Sequence, residues 1–267
     1  RVMAIGRNAL YFEDYVLSIQ YFNQVINAKP YLADPYFFRG LAKINLDDFS
    51  GAENDCTEAI ERNPFVVNAY QVRGLARIQQ DKLADAVKDY QKALELDPEN
   101  IALWHNLALC RIRQKEYDAA KNDLDRLIII SPRYTKAYLM RGEVDLKQKD
   151  TLTAEKDFNR AIEIDRYDPD TWASRGMLYL MKEQYKEAEE DLGKAIHLSV
   201  RNPGLYINRA LARYHQNNLR GAMADYDLAI DMDANNFIGH YNRGLLRAQV
   251  GDDNRAIEDF NFVIEME

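Results

Sequence analysis

Cysteine, glycine and proline are all scarce in this chain: its 267 residues hold two, twelve and seven of them. Cys56 and Cys110 cannot make a disulfide framework and give no zinc-ligand spacing. Both fall within helical patterns and read as small buried hydrophobes, so no metal and no cofactor is expected. Blocks of one charge sign are also missing. The 35 basic and 43 acidic residues are interspersed, with a net charge of −8, which describes a solvated surface rather than an acidic tail. That balance argues against a nucleic-acid partner, which needs a basic face. The one notable basic cluster, Arg111 to Lys115 ("RIRQK"), reads as a helix-end surface. No apolar run approaches the ~18 residues of a membrane span, so no membrane insertion is expected. Catalytic motifs are absent too: there is no G-x-S-x-G, phosphate loop or H-E-x-x-H, and His105, His197, His215 and His240 lie in no ligand or nucleophile pattern. Carboxylates such as Glu189-Glu190-Asp191 read as solvated helix faces. The chain is not expected to be an enzyme.

What is present is a period. Stepping by 34 residues from Gly74 meets Gly6, Gly40, Ala108, Gly142, Gly176, Ala210 and Gly244, so that six of the twelve glycines occupy one register. Twelve residues later the series is Ser18, Ala52, Ala86, Ala120, Ala154, Ala188, Ala222 and Ala256. Four residues before the glycine it is Val2, Tyr36, Tyr70, Trp104, Tyr138, Trp172, Tyr206 and His240, which includes both tryptophans. Within the unit two amphipathic helices are expected, about Tyr70 to Gln80 and Ala84 to Leu96, joined by a polar turn at Asp81-Lys82. Pro30, Pro64, Pro98 and Pro132 recur past the second helix, which they cannot continue. Pro169 and Pro203 instead start the next helix, where a fixed φ is suited. No strand-like alternation intervenes, so the fold is expected to be all-α. Glycine in a helix costs about 1 kcal/mol relative to alanine. The expected return is a close approach of the small residue on the first helix to the alanine of the second, with the bulky Tyr or Trp filling space beside that contact.

This unit resembles the tetratricopeptide repeat, a 34-residue helix–turn–helix with aromatic, Leu-Gly, Ala and Pro signals. The resemblance covers the whole chain as eight repeats, at about 1–32, 33–66, 67–100, 101–134, 135–168, 169–202, 203–236 and 237–267. It departs from the general pattern in placing Arg, not Leu, before the Gly, as in an "RG" subtype common among bacterial repeat proteins. The resemblance implies a right-handed α-solenoid, or superhelix, in one elongated domain. Composition is that of a soluble protein, and the compartment, a bacterial cytoplasm or periplasm, is left open.

Sixteen residues after each such arginine stands an aspartate: Arg39/Asp55, Arg73/Asp89, Arg141/Asp157, Arg175/Asp191, Arg209/Asp225 and Arg243/Asp259. Where the arginine is absent the pattern bends, with Ile5 and Tyr21 in the first repeat and Leu107 with Asp123 in the fourth. A ladder of arginine–carboxylate pairs between the two helices of each repeat is expected. Pairing with the following repeat fits less well, since it sets Asp89 against Leu107 and Tyr21 against Arg39. The functional alternative is an exposed row of anion-binding arginines.

The resemblance also implies a concave groove lined by the first helices, where partner peptides or helices dock. Mapped onto this register, the groove residues are Phe37, Phe38, Gln71, Val72, His105, Asn106, Leu139, Met140, Ala173, Ser174, Ile207, Asn208, Tyr241 and Asn242. One residue past the glycine follow Leu41, Leu75, Leu109, Glu143, Met177, Leu211 and Leu245. Asn106, Asn208 and Asn242 offer both donor and acceptor to a ligand backbone, or stand idle in solvent; the leucines either meet a ligand or pack helix on helix. No three consecutive repeats supply the Lys/Asn, Asn, Lys/Arg set of the family's two-carboxylate clamp, so an acidic C-terminal tail is a poor ligand for this groove. The expected function is a scaffold holding a protein or peptide partner. The alternative is an assembly element that spaces other domains or associates end to end, because the chain starts within a first helix and stops at Met266-Glu267 without the polar cap that solenoid ends need.

Overall fold

The computed structural model describes residues 1–266; Glu267, the last residue of the expected eighth repeat, lies outside the described residues. Every described element is an α-helix, and there are sixteen. They are α1 (Val2–Tyr11), α2 (Tyr15–Ala28), α3 (Asp34–Asn45), α4 (Phe49–Arg62), α5 (Val67–Gln79), α6 (Leu83–Leu96), α7 (Ile101–Arg113), α8 (Tyr117–Ile130), α9 (Thr135–Lys147), α10 (Thr151–Ile164), α11 (Pro169–Met181), α12 (Tyr185–Leu198), α13 (Pro203–His215), α14 (Leu219–Met232), α15 (Phe237–Gln249) and α16 (Asp253–Met266). Odd-numbered helices are the first, even-numbered the second helices of the repeats. Contacts gather them into two compact units, Arg1–Tyr134 and Thr135–Glu267, each an all-α solenoid of helix–turn–helix repeats.

Local chemistry sets the helix boundaries. Asp14, Asp48, Asp150 and Asn218 cap second helices by accepting from the backbone N–H three residues on, at 2.9–3.2 Å. These bonds satisfy amide donors that a helix start leaves unpaired. Between the two helices of every repeat the chain turns through a left-handed residue: Glu13, Asp47, Asp81, Lys115, Lys149, Glu183 and Asn217 have φ between 58° and 64°. Only in the last repeat does glycine, Gly251 at φ 81°, take that place.

Two of the recurring positions gain a physical reason. The aromatic before the glycine serves as a donor as well. Tyr36, Tyr70 and Tyr206 donate their hydroxyls, and Trp104 and Trp172 their indole N–H, to the carbonyl six residues earlier, at 2.8–3.1 Å. His240 Nε2 stands 3.0 Å from the Ala234 carbonyl in the same relation. Each such bond ties a first helix to the turn that leads into it and contributes roughly 1 kcal/mol. At Gly40 the close approach to the alanine is met, since a Cβ there would lie 3.3 Å from the Ala52 carbonyl oxygen, but at other repeats the glycine faces a large side chain instead. A Cβ on Gly74 would come within 2.9 Å of the Tyr90 ring, and one on Gly142 within 2.6 Å of the Phe158 ring. These rings stand one turn beyond Ala86 and Ala154. The alanines are fully buried, while the glycine makes room for the large side chain sixteen residues on.

Each unit bends toward its first helices. α1 touches α3, α3 touches α5, α9 touches α11 and α11 touches α13, whereas no consecutive second helices approach as closely. Closer spacing on one side makes that side the inner one, so within each unit the first helices line the concave face.

The left-handed turn yields a test. Glu183→Gly removes a side chain from a conformation that disfavours it and is expected to stabilise the chain by about 1 kcal/mol, while Gly251→Ala should destabilise it. Denaturant midpoints of the two variants check this; movement in the same direction contradicts the account.

Candidate functional site

The arginines that precede the small residue meet their aspartates at bonding distance. Arg39 Nε and Nη2 donate to the two carboxylate oxygens of Asp55 at 2.8 and 2.6 Å. The same two-pronged bond joins Arg141 to Asp157, Arg175 to Asp191, Arg209 to Asp225 and Arg243 to Asp259, at 2.6–3.0 Å. Arg73 Nη2 reaches Asp89 at 2.7 Å. The aspartate side chains are 1–6% exposed and the arginines 14–24%. Removing Arg175, which has no second cation beside its aspartate among the bonds described, strands a buried carboxylate, at about 3–5 kcal/mol. Removing the aspartate leaves a guanidinium that still reaches solvent, and costs less. With Nε and Nη2 turned onto buried aspartates, these arginines do not form an open anion-binding row.

Three further features accompany the ladder that the residue spacing did not announce. First, the remaining Nη1 reaches sixteen residues back, onto the second helix of the preceding repeat: Arg39 to Asn23, Arg73 to Thr57, Arg175 to Asn159 and Arg243 to Asp227, at 2.8–3.2 Å. Second, a cation one turn after the arginine also binds the aspartate, as Lys43, Arg77, Arg213 and Arg247 do at 2.7–3.0 Å. Third, Glu53 and Glu189 cross from one second helix to the next first helix, where Glu53 takes Arg77, Gln80 and Lys82, and Glu189 takes Arg213 and Gln216. Burial works to raise the Glu53 carboxyl, but the bonds from Lys82, Arg77 and Gln80 outweigh it and bring it down to about 2. All three sets keep the 34-residue stride, but their residue types vary too much to stand out in the sequence.

The fourth repeat lacks the arginine. Leu107 replaces it, and Asp123 is left with Arg111, whose Nη1 reaches both carboxylate oxygens at 2.8 Å. Burial pushes the Asp123 carboxyl up to about 6, more than Arg111 draws it down. Arg111 Nε is itself buried without a bond.

The expected groove residues divide. Phe37, Leu139 and Ile207 are 7–9% exposed, as is Val72; Phe37, Val72 and Ile207 belong to core clusters. These side chains pack helix against helix and present little to a ligand. Phe38, Gln71, His105, Asn106, Met140, Ser174, Asn208 and Asn242 are half-buried, and Tyr241 is exposed. Phe38 stacks on Phe22 at 5.8 Å, and His105 Nδ1 lies 3.1 Å from the Tyr134 hydroxyl. One residue past the glycine, Leu75, Met177, Leu211 and Leu245 are 38–48% exposed. In the second unit, Leu211, Tyr214, Tyr226, Asn242, Leu245 and Gln249 surround a cavity of about 290 Å³. Among the described residues no group of three or more His, Cys, Asp or Glu is placed to hold a metal ion, and no helix is long and apolar enough to cross a membrane.

Comparison with known proteins agrees with this geometry. Family models described as "TPR repeat" and "Tetratricopeptide repeat" match residues 74–111, 105–169 and 158–190. Among solved structures, a tetratricopeptide repeat protein from Parabacteroides merdae is 23% identical with a TM-score of 0.71, over 88% of this chain and 93% of its own. The C-terminal part of a TPR repeat-containing protein from Cytophaga hutchinsonii gives 0.72 at 14% identity, over 88% and 96%. YrrB, described as a TPR protein with an unusual peptide-binding site, gives 0.53 at 21% identity, over 69% and 95%. At these identities the likeness is one of fold. No curated protein matches the chain.

Asp123 gives a pH test. Its native carboxyl titrates near 6 against an ordinary 3.8, so between these values the native state binds the extra proton and this group's contribution falls as pH rises. Asp123→Asn removes the effect. The variant's stability relative to the parent is expected to climb from pH 4 to pH 6, by about 1.4 kcal/mol per unit of pKa elevation, and then level off. A difference flat in pH contradicts the reading.

Proposed function

We infer that this chain, which belongs to the tetratricopeptide repeat family, is a non-enzymatic scaffold that holds a protein partner on the first-helix face of its repeats. The partner lies there as an extended peptide or an amphipathic helix. The observation that carries this is the composition of that face. Met177, Leu211 and Leu245 are exposed one beside another along α11, α13 and α15, and half-buried Asn208 and Asn242 flank them. Apolar anchors at repeating intervals suit a docked helix or strand-like peptide, and each asparagine offers a donor and an acceptor to its backbone. Likeness to a protein described by its peptide-binding site supports the same reading. Half-buried Gln71, His105 and Asn106 with exposed Leu75 present a comparable, more polar face in the first unit.

The alternative reading is an assembly element that spaces other domains or associates with itself.

One experiment separates the readings. The parent and an Asn208→Ala, Leu211→Ala, Asn242→Ala variant are used to capture partners from the source lysate, and both are sized by light scattering. The scaffold reading expects a partner held by the parent and held about tenfold or more weakly by the variant, with both chains monomeric. Equal capture by both chains contradicts it, and a concentration-dependent dimer of both supports self-association.

A further inference from the structure

The cavity on the first-helix face of the second unit is bordered by polar groups that the protein itself does not use. Leu211 and Tyr214 of α13 and Tyr226 of α14 form one part of its wall; Asn242, Leu245, Leu246 and Gln249 of α15 form the rest, around about 290 Å³. Tyr226 and Leu246 are 3% and 2% exposed and make its buried end, whereas Leu211 and Leu245, at 38% and 48%, make its mouth. Among the described residues the hydroxyls of Tyr226 and Tyr214 and the amides of Asn242 and Gln249 make no hydrogen bond. Burial pushes the Tyr226 hydroxyl up to about 12, so it stands in the cavity as a neutral donor and acceptor. A hydroxyl held out of water without a partner is a cost to the free protein that a bound group can remove.

No charged side chain borders the cavity. The charged residues next to its lining in sequence, Arg213, Asp225, Arg243 and Arg247, are committed to one another's helices through the ladder. A charged group brought here would lose its water and gain no counter-charge, so the cavity suits a neutral ligand. Each of its polar groups can donate and accept, and the matching tip is one that does both, a hydroxyl or a carboxamide. The remaining wall, three leucines and two tyrosine rings, calls for a broad apolar body behind that tip. A phenol joins the two: a flat ring for the leucines and a hydroxyl at its far end.

We propose that this cavity takes a tyrosine side chain of the protein partner. The assignment rests on the scaffold reading above, since Leu211, Leu245 and Asn242 belong to the face that holds the partner, and adds what the partner presents there. The ring enters past Leu211 and Leu245 and packs on Leu246, and its hydroxyl exchanges hydrogen bonds with Tyr226 and Asn242. Phenylalanine offers the same ring but leaves those groups unpaired, and a site built to bond a hydroxyl discriminates against the analogue that lacks it. Glutamine offers a tip without the ring and leaves the leucine walls uncovered.

The test titrates acetyl-tyrosine-amide, acetyl-phenylalanine-amide and acetyl-glutamine-amide into the whole chain and follows leucine methyl signals by NMR. The signals of Leu211, Leu245 and Leu246 are expected to shift saturably with the tyrosine amide, while that of Leu152, exposed on α10, stays still. The tyrosine amide should bind about tenfold more tightly than either of the others. Tyr226→Phe keeps the ring and removes the hydroxyl. It should cut the preference for tyrosine over phenylalanine to about threefold or less, with a melting temperature equal to or above the parent's, because that hydroxyl has no partner to lose. Equal affinity for the three amides, absence of a saturable shift, a preference unchanged in Tyr226→Phe, or a lower melting temperature of that variant would overturn the proposal. The scaffold reading fails separately. Tyrosine binding as expected with equal capture by the parent and the triple variant upholds the cavity and overturns the scaffold, whereas loss of the partner by the triple variant without tyrosine binding upholds the scaffold and overturns the cavity.

Discussion

Each unit depends on one bond pattern: a guanidinium on a first helix gripping the carboxylate of its own second helix and, in four repeats, an acceptor on the preceding one. A helix pair of this size cannot bury its apolar face alone, and its stability is a sum of its own packing and that of its neighbours. An arginine sixteen residues from both partners serves both terms at once. Its flat fork fits a carboxylate in two places and still has a donor to spend. The ring three residues earlier completes its setting: the guanidinium carbon lies 5.3–5.8 Å from the centres of Tyr36, Tyr70, Tyr138, Trp172 and Tyr206, within the range of a cation–π attraction.

Charges that link the helices are drawn between first and second helices, so the concave face keeps leucine, methionine and asparagine. The ladder is uneven in two repeats. Leu107 removes the arginine of the fourth repeat and leaves Asp123 short of partners. Gly193 removes an acceptor of the sixth and leaves Arg209 with a donor to give.

Much of the fold was legible because a stride of 34 residues repeats each helix, and the Arg–Asp spacing of sixteen within it fixes which side chains meet. What failed to show was what depends on direction within a turn. The glycine register pointed to Ala86 and Ala154 on the facing helix, but the rings of Tyr90 and Phe158 one turn later fill the space beside Gly74 and Gly142. The candidate face was drawn from two adjacent positions per repeat. Neighbours on a helix differ by about 100° in direction, and in the second, fifth and seventh repeats the earlier of the two, Phe37, Leu139 and Ile207, turns inward. The acceptors sixteen residues back escaped notice because Asn, Thr and Asp serve alike, so no single letter recurs.

The central claim is that the arginine binds neighbouring repeats together as well as the two helices of its own. Native-state hydrogen exchange on Arg175→Met, which keeps the stem and removes the fork, tests it most directly. The account predicts loss of protection in α10 as well as in α11 and α12, because Asn159 and Asp191 lose the same donor group. Protection lost in α11 and α12 alone, with α10 unchanged, would contradict it.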